Sequence, residues 1–131
     1  MNGADIEFIA DTSAIIALLR GDVEVERAIG EKIFALTFVS IAELSLGILK
    51  SSKREAAWTR VRQLLLDRPV FHPTAFTATI YARIYFDLQR KGTLIPINDI
   101  WIAALAIEVD LPILARDAHF SRVAGLKVID C

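Results

Sequence analysis

Several kinds of site are ruled out in this chain of 131 residues by what it lacks. Its only cysteine is Cys131, so no disulfide can close within the chain and no thiol metal cluster can assemble in it. With His72 and His119 as the only histidines, a histidine-rich metal centre is excluded. Six scattered glycines make neither a phosphate loop nor a dinucleotide fingerprint, and there is no nucleophile elbow or zinc-protease helix motif. The longest uncharged stretch, residues 69–82, carries Pro69, His72 and Pro73 and falls short of a membrane span. Asp5, Glu7 and Asp11, with no basic segment before them, do not read as a secretory signal. The expectation is a cytoplasmic protein with no membrane association.

An excess of basic charge is also missing. The net charge is −1, so the whole chain presents no field that would attract nucleic acid. The charges are nevertheless uneven. Residues 1–49 hold eight acids against Arg20, Arg27 and Lys32, whereas residues 50–68 hold Lys50, Lys53, Arg54, Arg60, Arg62 and Arg68 against Glu55 and Asp67. A solvated helix face is the ordinary meaning of such a basic cluster, and a contact surface for phosphates is the functional one.

What the chain has in plenty is apolar residues: 54% of the sequence, with a mean hydropathy of +0.46. Without a membrane span, this points to a fold whose central elements are covered on both sides. Residues 1–131 read as a single domain, since no linker, repeat or low-complexity segment interrupts them. Short apolar runs alternate with helical patterns. Strands are expected at Ile6–Ala10, Ile33–Val39, Val70–His72, Ile113–Ala115 and Leu126–Ile129. Helices are expected at Ser13–Leu19, Val23–Ile29, from Ser40, over Lys53–Leu66, over Thr74–Lys91 and over Asp99–Val109, with one further turn at Ala118–Val123. The last long helix is apolar nearly all round, as a buried helix is. Strands alternating with helices predict an α/β fold, with a mainly parallel sheet and helices on both faces.

Against this background four carboxylates stand out. Asp11 ends the first strand, and Asp117 follows the strand Ile113–Ala115. Glu43 lies in the first turn of the helix after the second strand, and Asp99 opens the buried helix. In a parallel sheet all four events can fall on one edge, the edge where ligands bind. Four acids in proximity stay ionised only if a cation compensates them. An oxygen-only donor set favours Mg²⁺ or Mn²⁺ over zinc. Such ions serve phosphodiester hydrolysis by activating water and stabilising the leaving oxygen. Each acid also has an ordinary explanation. Ser40 and Glu43 match a capping box, Asp99 complements a helix dipole, and Asp11 and Asp117 suit turns or N-caps. It is the set of four that points to chemistry.

The blocks Asp11-Thr12-Ser13, Ser40-Ile41-Ala42-Glu43-Leu44-Ser45-Leu46-Gly47, Asn98-Asp99-Ile100-Trp101-Ile102-Ala103-Ala104 and Arg116-Asp117-Ala118-His119-Phe120 resemble the signature blocks of the PIN-domain family. They occur in the family's order and span essentially the whole chain. At this length the resemblance is to the VapC-type toxin ribonucleases. It implies a three-layer α/β/α fold and an endoribonuclease dependent on Mg²⁺ or Mn²⁺. Asp11, Glu43, Asp99 and Asp117 would then form the acidic site, with Asp11 and Asp99 the principal metal ligands and Asp117 an additional one. Thr12 or Ser13 would orient water at the metal, and Asn98 would supply hydrogen bonds behind the ligands. The family also implies a homodimer, and an antitoxin whose C-terminal segment covers the active-site groove. Lys50, Lys53, Arg54 and Arg116 are the candidates to hold the RNA backbone. This chain departs from the family's pattern in the last block. Ala115 stands where a hydroxyl residue is common, and His119 where a second acid often lies. His119 is read as a surface or capping residue that could contact phosphate.

The alternative is a non-catalytic Mg²⁺-binding signalling or protein-interaction module on a similar fold. A receiver-like module wants paired acids at the first strand–helix junction and a lysine after a late strand. Here Ala10 precedes Asp11, and Arg116-Asp117 stands in place of the lysine.

Overall fold

The computed structural model describes residues 5–131. Its strands are β1 (Phe8–Ala10), β2 (Phe34–Thr37), β3 (Val70–Phe71), β4 (Ile113–Ala115) and β5 (Val128–Asp130). The helices are α1 (Thr12–Leu19), α2 (Val23–Ile29), α3 (Phe38–Leu49), α4 (Arg54–Leu65), α5 (Ala75–Arg90) and α6 (Ile97–Val109), with a 3₁₀ turn over Ala118–Arg122. The strands form one sheet in the order β3-β2-β1-β4-β5, and every pairing is parallel.

Side chains along a strand alternate between faces, and the two halves of the core follow that period. Ile9, Ala35, Ile113 and Ala115 face a cluster built with Ile84 and Leu88 of α5 and Ile100, Ile102 and Ala103 of α6. Phe8, Ala10, Phe34, Leu36 and Leu114 face a second cluster with Ala14 and Ile15 of α1, Val25 and Ile29 of α2, Leu44 of α3 and Leu64 of α4. The pairings Phe8 with Phe34 and Ile9 with Ile113 keep each residue in register with a neighbour on its own face. The architecture is therefore the expected three-layer α/β/α sandwich. It accounts for the high apolar content: β1, β2 and β4 are buried at every position, and so are Ile102–Ala106 of α6. No helix among the described residues is long and apolar enough to cross a membrane.

Two helix starts lie two residues from the sequence reading, and each difference has a local cause. The chain passes from β2 into α3 without a loop. Thr37, the last strand residue, becomes the N-cap, and its hydroxyl accepts from the Ser40 amide at 3.4 Å. Helix α3 therefore begins at Phe38, two residues earlier than expected, and the Ser40–Glu43 capping box does not form. Helix α6 begins at Ile97, after Pro96, whose restricted φ of −54° leads into the helix without a side-chain cap. A helix starting at Asp99, as the sequence suggests, would take Asn98 as its cap, but with the start at Ile97 Asn98 sits exposed in the first turn. At its other end α6 stops on Asp110, which adopts left-handed backbone at φ 56°. The chain then turns through Pro112 into β4.

The order of connection positions the site. From β1 the chain builds outward through β2 to β3, then crosses over to β4 on the other side of β1. The carboxyl ends of β1 and β4 therefore flank the point where the winding reverses. In open parallel sheets this is where a crevice opens.

Candidate active site

Asp11 leaves the end of β1 and is 3% exposed, an unusual burial for a carboxylate. Its Oδ1 accepts from the Ala14 amide at 2.8 Å, so it does cap α1, as the ordinary reading held. The Ser13 hydroxyl lies 2.8 and 2.9 Å from its two oxygens. Ser13 Oγ in turn accepts from the Arg116 amide at 3.1 Å, which ties the start of α1 to the residue after β4. Burial pushes the Asp11 carboxyl up to about 6, against the Ala14 and Ser13 hydrogen bonds, and the charges of Asp99 and Asp117 add to the rise.

Asp99, in the first turn of α6, is also raised, first by burial and then by the charges of Asp117 and Glu43. Its hydrogen bond with His119 acts in the opposite direction. Asp117 caps the 3₁₀ turn, where its Oδ1 accepts from the His119 amide at 2.8 Å. The His119 ring closes this part of the site. Its Nδ1 lies 3.0 Å from Asp99 Oδ2 and 2.9 Å from Asp117 Oδ1. Glu43 approaches from α3. With no capping role left to it, its Oε1 accepts from the Thr12 hydroxyl at 2.7 Å, and Thr12 Oγ1 lies 2.9 Å from the buried Ser40 Oγ.

The four acids are thus brought to one edge of the sheet by four different elements. The mutual charge effects run from Asp11 to Asp99 and Asp117, and from Asp99 to Asp117 and Glu43. Among the described residues no lysine or arginine forms a salt bridge with any of the four, and His119 is the one ion-pairing partner they have. A carboxylate group of this kind is relieved by a cation or by protons held on some of its members. Two carboxylates and an imidazole, partly open to solvent, are a donor set that fits a hard or borderline divalent ion, with the buried Asp11 carboxyl beside them. Asp99, Asp117 and His119 each offer a ligand atom, and these atoms lie within 4.8 Å of one another.

The other expected participants fall out unevenly. Thr12 and Ser13 each hold an acid, as just described. Among the described residues the Asn98 side chain makes no hydrogen bond. Lys50, Lys53 and Arg54 lie exposed about the turn between α3 and α4. The Arg116 guanidinium is engaged with Asp22 at 2.8 Å. Nearer the acids, a groove of about 350 Å³ runs from Glu43 between α1, α3 and α4. It is lined by Ile16, Leu19, Leu44 and Ile48 and flanked by Arg20 and Arg60. In the sequence Arg20 stands only as one of the few bases of residues 1–49, because nothing in its neighbourhood signals the long-range packing that makes it line the same groove as Glu43. His119 is legible in the sequence as a surface or capping residue, not as the side chain that meets both Asp99 and Asp117. It stands two residues after Asp117, at the position where the family pattern often carries an acid.

The PIN domain family model matches residues 8–126. The chain belongs to the PIN-domain family. Among curated proteins, Ribonuclease VapC5 of Mycobacterium tuberculosis is 30% identical over 124 residues, which cover 93% of this chain and 91% of that protein. A solved structure of VapBC-5 from the same organism, described as a member of the VapBC family of toxin–antitoxin systems, is 29% identical with a TM-score of 0.77. It covers 95% of this chain and 98% of that one. The fold alone is shared with VapBC2 of Rickettsia felis bound to a promoter DNA fragment. There the TM-score is 0.86 at 20% identity, with 96% and 99% of the two chains covered. As a PIN domain, the chain carries its acids just after β1 and β4, in the second turn of α3 rather than the expected first, and in the first turn of α6.

Proposed function

We propose that this chain is a metal-dependent endoribonuclease and the toxin of a toxin–antitoxin pair, with Asp11, Glu43, Asp99 and Asp117 as its active site. The observation that carries this reading is the convergence of four acids, two with raised pKa values, on a rim that holds no salt-bridging lysine or arginine among the described residues. The ribonuclease and toxin–antitoxin names of the similar proteins support the substrate and the pairing. The signalling alternative has no comparable support.

In this reading Asp11, Asp99 and Asp117 hold Mg²⁺ or Mn²⁺. Such an ion, when bound, makes water a stronger nucleophile at neutral pH and offsets charge developing on the phosphodiester. The chain's own residues supply the rest. Ser13 fixes the Asp11 carboxylate, and Thr12 holds Glu43 so that its free oxygen can accept a proton from water. The rim is too acidic to hold RNA unaided, so Arg20 and Arg60, which line the groove with Glu43, contribute positive charge beside it. The apolar groove that starts at Glu43 suits the segment of an antitoxin. Exposed Leu46 and Leu49 of α3 and Phe76 and Phe86 of α5 support a homodimer. Residues 1–131 act as one domain.

The test is cleavage of RNA by purified protein with Mn²⁺, beside Asp11→Asn and Asp99→Asn. Cleavage is expected, and it should be abolished by chelator and by either substitution. Undiminished cleavage by the two variants would overturn the assignment of the site.

A further inference from the structure

The group at the acidic rim that remains without a role is His119. Its Nδ1 lies 3.0 Å from Asp99 Oδ2 and 2.9 Å from Asp117 Oδ1. A neutral imidazole has at most one hydrogen on Nδ1, so two carboxylates converging on that atom exceed what one ordinary hydrogen bond uses. The separations have a second meaning. In an octahedral site with ligand distances of about 2.1 Å, adjacent donors stand about 3 Å apart. Nδ1 stands from Asp99 Oδ2 and from Asp117 Oδ1 at the spacing of neighbouring donors about one ion, and the ligand atoms of the three residues lie within 4.8 Å of one another.

The ring is also held in place. Its own amide donates to Asp117 Oδ1, and the next residue, Phe120, is fully buried in the core against α6. The 3₁₀ turn is thereby pinned to the helix whose first turn carries Asp99. Nδ1 reaches the acids without a change of backbone, whereas an exposed histidine on a free loop would have to be ordered first.

We propose that His119 is a metal ligand through Nδ1. The site would then be a mixed nitrogen and oxygen centre that prefers a first-row transition ion, with Mn²⁺ as the probe, over Mg²⁺. The inference rests on the metal-dependent reading above. It goes beyond it by assigning a nitrogen donor and a metal selectivity that an all-carboxylate site would not have. The physical reason is that imidazole is a softer donor than carboxylate and gains more from a transition ion than from Mg²⁺.

The decisive measurement is pulsed EPR on the full chain loaded with Mn²⁺. Modulation from a directly bound ¹⁴N is expected, and it should change to the ¹⁵N pattern when the protein carries ¹⁵N-labelled histidine. Neither result needs a variant to fold. In parallel, Mn²⁺ and Mg²⁺ affinities are compared for the native protein and for His119→Asp and His119→Gln. The preference for Mn²⁺ should fall by about ten-fold in both variants. Mn²⁺ binding with RNA cleavage but no nitrogen coupling, and an unchanged preference in the variants, would overturn the role of His119 and leave the nuclease reading standing. Failure of the native protein to bind Mn²⁺ would overturn both.

Discussion

Asp11 performs two tasks that make opposite demands on its charge. As the cap of α1 it accepts a backbone hydrogen bond, and as a buried acid beside Asp99 and Asp117 it resists ionisation. Its pKa of about 6 lies above the ordinary value of 3.8, so between these values the folded protein holds a proton that the unfolded chain releases. The favourable contribution of the neutral acid is complete below about pH 4 and is lost as pH rises through 6. Denaturant unfolding of metal-free protein should therefore show stability falling across this window, by up to about 3 kcal/mol from this residue. Asp11→Asn should remove much of that fall and make the metal-free protein more stable than native at pH 8, while abolishing cleavage. An unchanged pH profile in the variant would show that the carboxyl ionises freely. Asp22 runs the other way. The Val25 amide, with help from Arg116, lowers its pKa, so its contribution is present above the ordinary carboxylate range and fades as pH falls.

Among the elements, the seam between α1 and α3 is held by hydroxyls. Thr12 lies between Ser40 and Glu43, and it joins the first residue of one helix to the first two turns of the other. Thr12→Val keeps the shape but removes the donor to Glu43 and leaves the buried Ser40 hydroxyl short of a partner. The expected cost is about 1–2 kcal/mol in thermal or denaturant melts. Turnover should drop by about ten-fold, with less effect on KM, because Glu43 is left free to swing. Loss of stability without loss of turnover would mean that Glu43 needs no such support. The seam also marks where sequence reasoning reaches its limit. Element types were legible from periodicity: Val23–Ile29 and Ile113–Ala115 were read to the residue. The starts of α3 and α6 were not. Thr37 was assigned to a strand and could not show from sequence that it also caps, and Pro96 displaced the cap expected of Asn98. All four acids were legible as acids at strand ends and helix starts. The contact of His119 with Asp99, twenty residues earlier in the chain, was beyond any local pattern.

For the whole molecule, the uncompensated rim predicts that metal and fold are coupled. An ion that binds only the native state stabilises it by mass action, about 2.7 kcal/mol at one hundred times its Kd. Thermal melts should rise on adding Mn²⁺ and return on adding chelator, and the rise should be smaller in Asp99→Asn. Equal shifts in native and variant protein would place the ion elsewhere. The parallel sheet made this rim foreseeable in outline, since strand order alone decides which chain ends lie side by side. That order was not itself legible. Crossing from β3 back past β1 to β4 depends on which apolar faces bury best together, and no single run of residues encodes it.

Arg116 binds Ser13 through its backbone and Asp22 through its side chain, across 103 and 94 positions of sequence. Asp11, Thr12 and Glu43 come from the first third of the chain, and Asp99, Asp117 and His119 from the last. During synthesis the early half is therefore made long before its counterpart exists. A ribosome still translating residue 90 carries a chain with two of the four acids waiting for the rest of the site. The acidic rim is complete only with the closing stretch of translation, when Asp117 and His119 join the earlier acids.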